Sequence, residues 1–100
     1  MVDLLGRLSR WYETHCNDDW EHQDGVVIES IDNPGWSLCV GLGDTELSGR
    51  QFPGKDVERS ERDWVVCRIV DNKFEGFGGP ANLTELIETF LSWAESPREE

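Results

Sequence analysis

Between Trp11 and Gly49 the sequence has no lysine and no arginine, although the same stretch carries nine carboxylates. The rest of the chain sets twelve acids against nine bases, so nine of the twelve net negative charges lie in one block. A merely soluble surface mixes both signs. A confined field is suited to meeting something positive, or to holding a cation. Cysteine is scarce too. Cys16, Cys39 and Cys67 are an odd, widely spaced set with no CxxC pair and no zinc pattern, which reads as free thiols in a reducing compartment. No apolar run approaches the ~20 residues that span a bilayer. The N-terminus lacks the basic, apolar and small-residue regions of a signal peptide, so the chain is expected to remain in the cytoplasm. A net charge of −12 argues against nucleic acid, whose phosphates would be repelled, and equally against an anionic membrane. A basic protein partner passes this filter.

What is present is a foldable chain. One hundred residues with five tryptophans make a single domain, residues 1–100, with a modest core. Leu4, Leu8, Trp11, Tyr12 and His15 recur at helical spacing, which predicts an amphipathic helix over roughly 3–16 that Asp3 can cap. Val26 to Ile31 is β-branched and predicts a strand. Asp32-Asn-Pro-Gly reads as a type II turn with positive φ at Gly35. Trp36, Leu38, Val40 and Leu42 then alternate with Ser37, Cys39 and Gly41, a second strand with Trp36 on the core side. Thr45 to Leu47 offers a short further strand, and Ser48 to Arg62 reads as a loop. Asp63 to Val70 is the last strong strand. Gly76-Phe-Gly-Gly-Pro80 reads as a turn. Asn82-Leu-Thr-Glu85 has the spacing of a capping box that opens a second helix, with Leu83, Leu86, Ile87, Phe90, Leu91 and Ala94 as its stripe and Pro97 as its stop. The expected class is α+β: an antiparallel sheet of three to four strands, with N-terminal and C-terminal helices packed on one face.

Chemistry concentrates in Cys16-Asn-Asp-Asp-Trp-Glu-His22. Asp18, Asp19, Glu21, His22 and Asp24 form the one dense cluster of oxygen and nitrogen ligands. They miss the EF-hand register, because the glycine falls at Gly25, and a zinc site would want a second ligand closer than His15. No metal and no cofactor is therefore assigned. A small metal-binding protein or metal-dependent hydrolase using Asp18, Asp19, Glu21 and His22 stands as the alternative reading. Phe77-Gly-Gly-Pro80 lacks the Lys and Ser/Thr of a phosphate loop. His15 and Cys16 are adjacent on a helix and point about 100° apart, so they form no catalytic dyad. Trp64, Val66 and Val70 can make an apolar patch on the uncovered sheet face, a candidate for a homodimer contact in an otherwise monomeric protein.

Taken together, Trp11-Tyr12, Cys16 to His22, Gly25, Asp32-Asn-Pro-Gly-Trp36, Asp63-Trp64, Cys67, Phe77-Gly-Gly-Pro80 and Asn82-Leu83 resemble the immunity protein 53 family of bacterial polymorphic toxin systems, over nearly the whole chain. The resemblance implies a small cytoplasmic antitoxin without catalytic activity that binds a cognate toxin domain. Many toxins of such systems are nucleases with basic clefts, and carboxylates can occupy the places of phosphates there. The expected contact residues are Asp18, Asp19, Trp20, Glu21, His22, Asp24, Glu29 and Asp32, with Trp20 as the anchor if its ring faces outward.

Overall fold

The computed structural model describes residues 3–23 and 25–96. In chain order the elements are α1 (Leu4–His15), α2 (Trp20–Gln23), β1 (Val26–Ile31), β2 (Gly35–Gly41), β3 (Lys55–Ser60), β4 (Asp63–Val70), β5 (Lys73–Gly78) and α3 (Leu83–Glu95). The strands form one antiparallel sheet in the order β1-β2-β5-β4-β3. The architecture is α+β with a helix at each end of the chain, as the periodicity predicts, but the sheet has five strands rather than three or four.

α3 packs across β2, β5 and β4, and α1 packs on α3. Leu86, Ile87, Phe90 and Leu91 of α3 meet Leu38, Val40, Val65 and Phe74 of the sheet, with Leu8 and Trp11 of α1 completing the core. Side chains on the other sheet face stay open: Glu29 on β1, Cys39 on β2, Phe77 on β5, Val66 and Trp64 on β4 all lie opposite in parity to the core positions.

Several expectations are corrected. Of the expected turn Gly76 to Pro80, Gly76 to Gly78 belong to strand β5 (Lys73–Gly78), and the turn itself falls at Pro80 and Ala81. Gly76 belongs in β5 because a Cβ on it would meet the Leu86 side chain at 3.1 Å, so the missing side chain lets α3 close on the sheet. Gly35 is the first residue of β2 and takes no positive φ. Its reason is close approach: an added Cβ would sit 2.1 Å from the Gly78 carbonyl oxygen. Ser48–Arg62 is not all loop, since β3 lies within it. Thr45 to Leu47 is a run of turns rather than a strand. The tight hairpin turn is instead Asp71-Asn72, both residues with positive φ of 52° and 59°, which suits a two-residue link between twisted strands.

Asp3 does cap α1, accepting from the Gly6 N–H at 3.1 Å. Asn82 precedes α3 but makes no side-chain cap. Its Nδ2 donates instead to Asp63 Oδ1 at 3.0 Å and to Glu85 Oε1 at 3.1 Å, so the capping box is absent. Pro97 lies outside the described residues.

The sheet's two edges differ. β3 carries a bulge between Glu58 and Ser60. Its Arg59 bridges Asp63 and Glu85, each at 2.8 Å, and its Lys55 reaches Glu85 at 3.2 Å. β1 pairs with β2 without a register shift from Val26 to Ile31, and its other edge is open among the described residues.

Candidate functional site

The acidic segment leaves α1 at Cys16 and turns back on itself within four residues. The turn is built by side chains reaching local backbone. Asn17 Oδ1 accepts from the N–H groups of Asp19 (3.0 Å) and Trp20 (2.9 Å), which starts the short helix α2. Glu21 reaches back, its two carboxylate oxygens accepting from the N–H groups of Asn17 and Asp18 at 2.8 Å each. Backbone N–H bonds from its own residue and from Asn17 lead in holding its carboxyl below the usual range, against a smaller opposing effect of burial. Asp19 Oδ1 accepts from Gln23 Nε2 at 2.6 Å. Asp18 sits at φ 71°, a left-handed conformation that Asp tolerates and a lysine would not share as readily.

Trp20 faces inward, so the outward ring on which its reading as the anchor depended is not found. Its side chain is 1 % exposed, and Nε1 donates to the Gly41 carbonyl at 2.9 Å. Its ring meets Trp11 edge-on at 5.6 Å. The loop is thus pinned to the end of β2 by one buried indole. Asp18, Asp19 and His22 are exposed. His15 packs within the chain: it stacks on Trp11 at 4.1 Å, and its Nε2 lies 2.6 Å from Glu46 Oε2.

The sequence candidates are not all in one place. Asp18, Asp19, Glu21 and His22 share the loop before β1, Glu29 lies midway along β1 with its side chain on the open sheet face, and Asp32 sits in the turn at the far end of that strand. Asp24 lies outside the described residues. Among the described residues no three potential metal ligands converge. Cys67 is buried, and burial pushes its thiol up to about 11, with Glu85 adding to the rise and Lys55 opposing it, so it is no nucleophile at neutral pH.

Sequence reasoning missed the neighbour of the acidic loop. Between α1 and β1 runs an open groove of about 460 Å³, walled by Leu5, Leu8, Tyr12, Val26 and Val27, with Glu21 also in its lining. Leu5 is 65 % exposed, Val27 43 % and Tyr12 37 %, so three large exposed apolar residues line it, and exposed Ile28 follows on β1. The unbroken Val26-Val-Ile28 run was the available signal, since a strand covered on one face alone should alternate. On the open sheet face Trp64 and Val66 are half-buried and Val70 is exposed. There Arg68 lies over the Phe77 ring at 5.6 Å and pairs with Glu75 at 3.3 Å, which places a compensated charge within that patch.

No helix is long and apolar enough to cross a membrane, among the described residues. Against known proteins, the family model of immunity protein 53 matches residues 5–95. No curated protein and no solved structure matches the chain.

Proposed function

The chain belongs to the immunity protein 53 family, and on that premise we propose that it binds a cognate toxin domain and neutralises it in the cytoplasm of the cell that makes both. The action is binding without catalysis. The favoured partner is a toxin with a basic cleft, such as a nuclease, met by a monomeric inhibitor through Asp18, Asp19, Glu21 and His22 of the loop, Asp24 beside it, and Glu29 and Asp32 along β1.

The observation that carries this reading is the uncompensated loop. Glu21 is hydrogen-bonded by backbone N–H groups and Asp19 by Gln23, yet the segment holds no lysine or arginine to cancel their charge. Such a field accelerates encounter with a positive surface, toward ~10⁸–10⁹ M⁻¹s⁻¹ at low salt. The metal alternative gains nothing comparable, since Glu21 is engaged by backbone N–H groups and no ligand trio converges among the described residues.

The test is capture of the toxin domain encoded beside this chain, at low and at high salt. Tight capture that weakens with salt supports the reading. Absence of capture at every salt concentration removes it.

A further inference from the structure

The two edges of the sheet are finished for different ends. β3 is bulged and carries ion-paired Lys55 and Arg59, devices that block further strand pairing. β1 reads Val26-Val-Ile-Glu-Ser-Ile31, with no lysine, arginine or proline and no bulge. The register shows which backbone groups it leaves open. Gly41 N–H donates to the Gly25 carbonyl at 3.1 Å. With Val26 opposite Val40, alternation turns the N–H and C=O groups of Val27, Glu29 and Ile31 toward β2 and those of Val26, Ile28 and Ser30 outward. Beside that free edge lies the apolar groove under α1. Val26 and Ile28 share its side of the sheet, because they lie opposite buried Val40 and Leu38.

We propose that β1 is a docking strand, and that an extended segment of the toxin domain adds to the sheet there. Its backbone pairs with Val26, Ile28 and Ser30. Alternate side chains fall to opposite faces, so those on the helix side are apolar and fill the groove against Leu5 and Tyr12. Those on the other side are Lys or Arg, facing Glu29. A second copy of this chain is the wrong occupant by charge: pairing β1 with β1 sets two base-free acidic blocks against each other. The proposal rests on the immunity reading and adds to it the geometry of contact and the alternating apolar–basic character of the segment bound.

The experiment is amide hydrogen exchange on the full chain, free and saturated with the purified neighbouring toxin domain, together with capture by Ile28→Pro and Ile28→Thr. The amides of Val26, Ile28 and Ser30 should gain protection on binding. Ile28→Pro deletes an outward N–H and no bond to β2, and should weaken capture by about tenfold or more, the order of one lost backbone hydrogen bond. Ile28→Thr keeps the N–H and should lose roughly threefold or less by the same reasoning. Full capture by a folded Ile28→Pro, with unchanged exchange at the three amides, overturns the docking strand and leaves the immunity reading standing. If wild-type protein fails to capture the toxin at all, both fall. A free chain already dimeric with these amides protected overturns the proposal by making a second copy the occupant. Should Ile28→Pro melt early, exchange on the wild-type complex decides.

Discussion

Two acid-rich corners of the molecule hold their carboxylates in opposite ways. Where β3, β4 and α3 meet, Asp63 and Glu85 face Lys55 and Arg59. Arg59 leads in pulling the Glu85 carboxyl down to about 2, burial opposes it, and Lys55 and Asn82 add to the fall. In the loop before β1, Glu21 is also held below its usual range, but by backbone N–H groups of its own residue and Asn17, with His22 the one charged contributor. The first corner cancels its charge inside the fold. The second holds Glu21 and Asp19 by neutral donors, and no Lys or Arg ion pair to it is formed among the described residues. A count of carboxylates cannot separate the two; the nature of each donor does.

The comparison breaks most severely at Trp20. Trp20→Ala should cost about 3–5 kcal/mol in urea unfolding, because it empties a buried indole site and frees the Gly41 carbonyl. A loss below about 1 kcal/mol would mean the loop is held by something else. Next comes Glu85→Ala, which strands Lys55 and Arg59 on an edge strand. A cost of about 1–2 kcal/mol is expected, with faster amide exchange confined to β3 while the loop is unchanged. The same residue sets a pH signature. Its folded value of about 2 lies below the ordinary 4.5, so its stabilisation is complete above that value and is lost as pH falls from there toward 2. Wild-type protein should therefore destabilise more steeply across that window than Glu85→Gln.

Smaller effects sharpen the loop side. Asn17→Ala removes the oxygen that serves Asp19 and Trp20, a capping loss of about 1 kcal/mol. Asp18→Asn with Asp19→Asn should shift stability by no more than ~0.5 kcal/mol, while slowing toxin association at low salt far more than it speeds dissociation. Neutralisation is the cleaner test than lysine at these sites, since Lys at Asp18 would add about 1 kcal/mol of left-handed backbone strain. Equal association rates for wild type and the double Asn variant would remove these two carboxylates from the recognition surface.

Periodic elements were legible in the sequence and exceptions to period were not. α1, α3, β2 and β4 bury one stripe or one face each, so spacing alone placed them. β3 stayed hidden because an edge strand needs few apolar residues: Val57, opposite Val65, is its one aliphatic side chain. β5 was masked by glycines whose role is helix–sheet proximity, a relation to Leu86 that lies ten residues on. The site divided in the same way. That the acids cluster was plain from the sequence, and so was their lack of counterions. That Trp20 turns inward depended on a carbonyl at Gly41, and that Glu29 lies on the outermost strand with Asp32 in the turn beyond it depended on the strand order.

The position of β5 between β2 and β4 has a consequence for timing. As the chain emerges from the ribosome, β1–β2 and β3–β4 can each form a hairpin, but nothing joins them until residues 73–78 arrive. Only then can α3 cover the core side chains of both halves. A chain interrupted before residue 73 would leave the edges of β2 and β4 that β5 covers unpaired, and unpaired strand edges invite aggregation. Closure of the sheet thus waits on one strand, and both halves of the core wait with it.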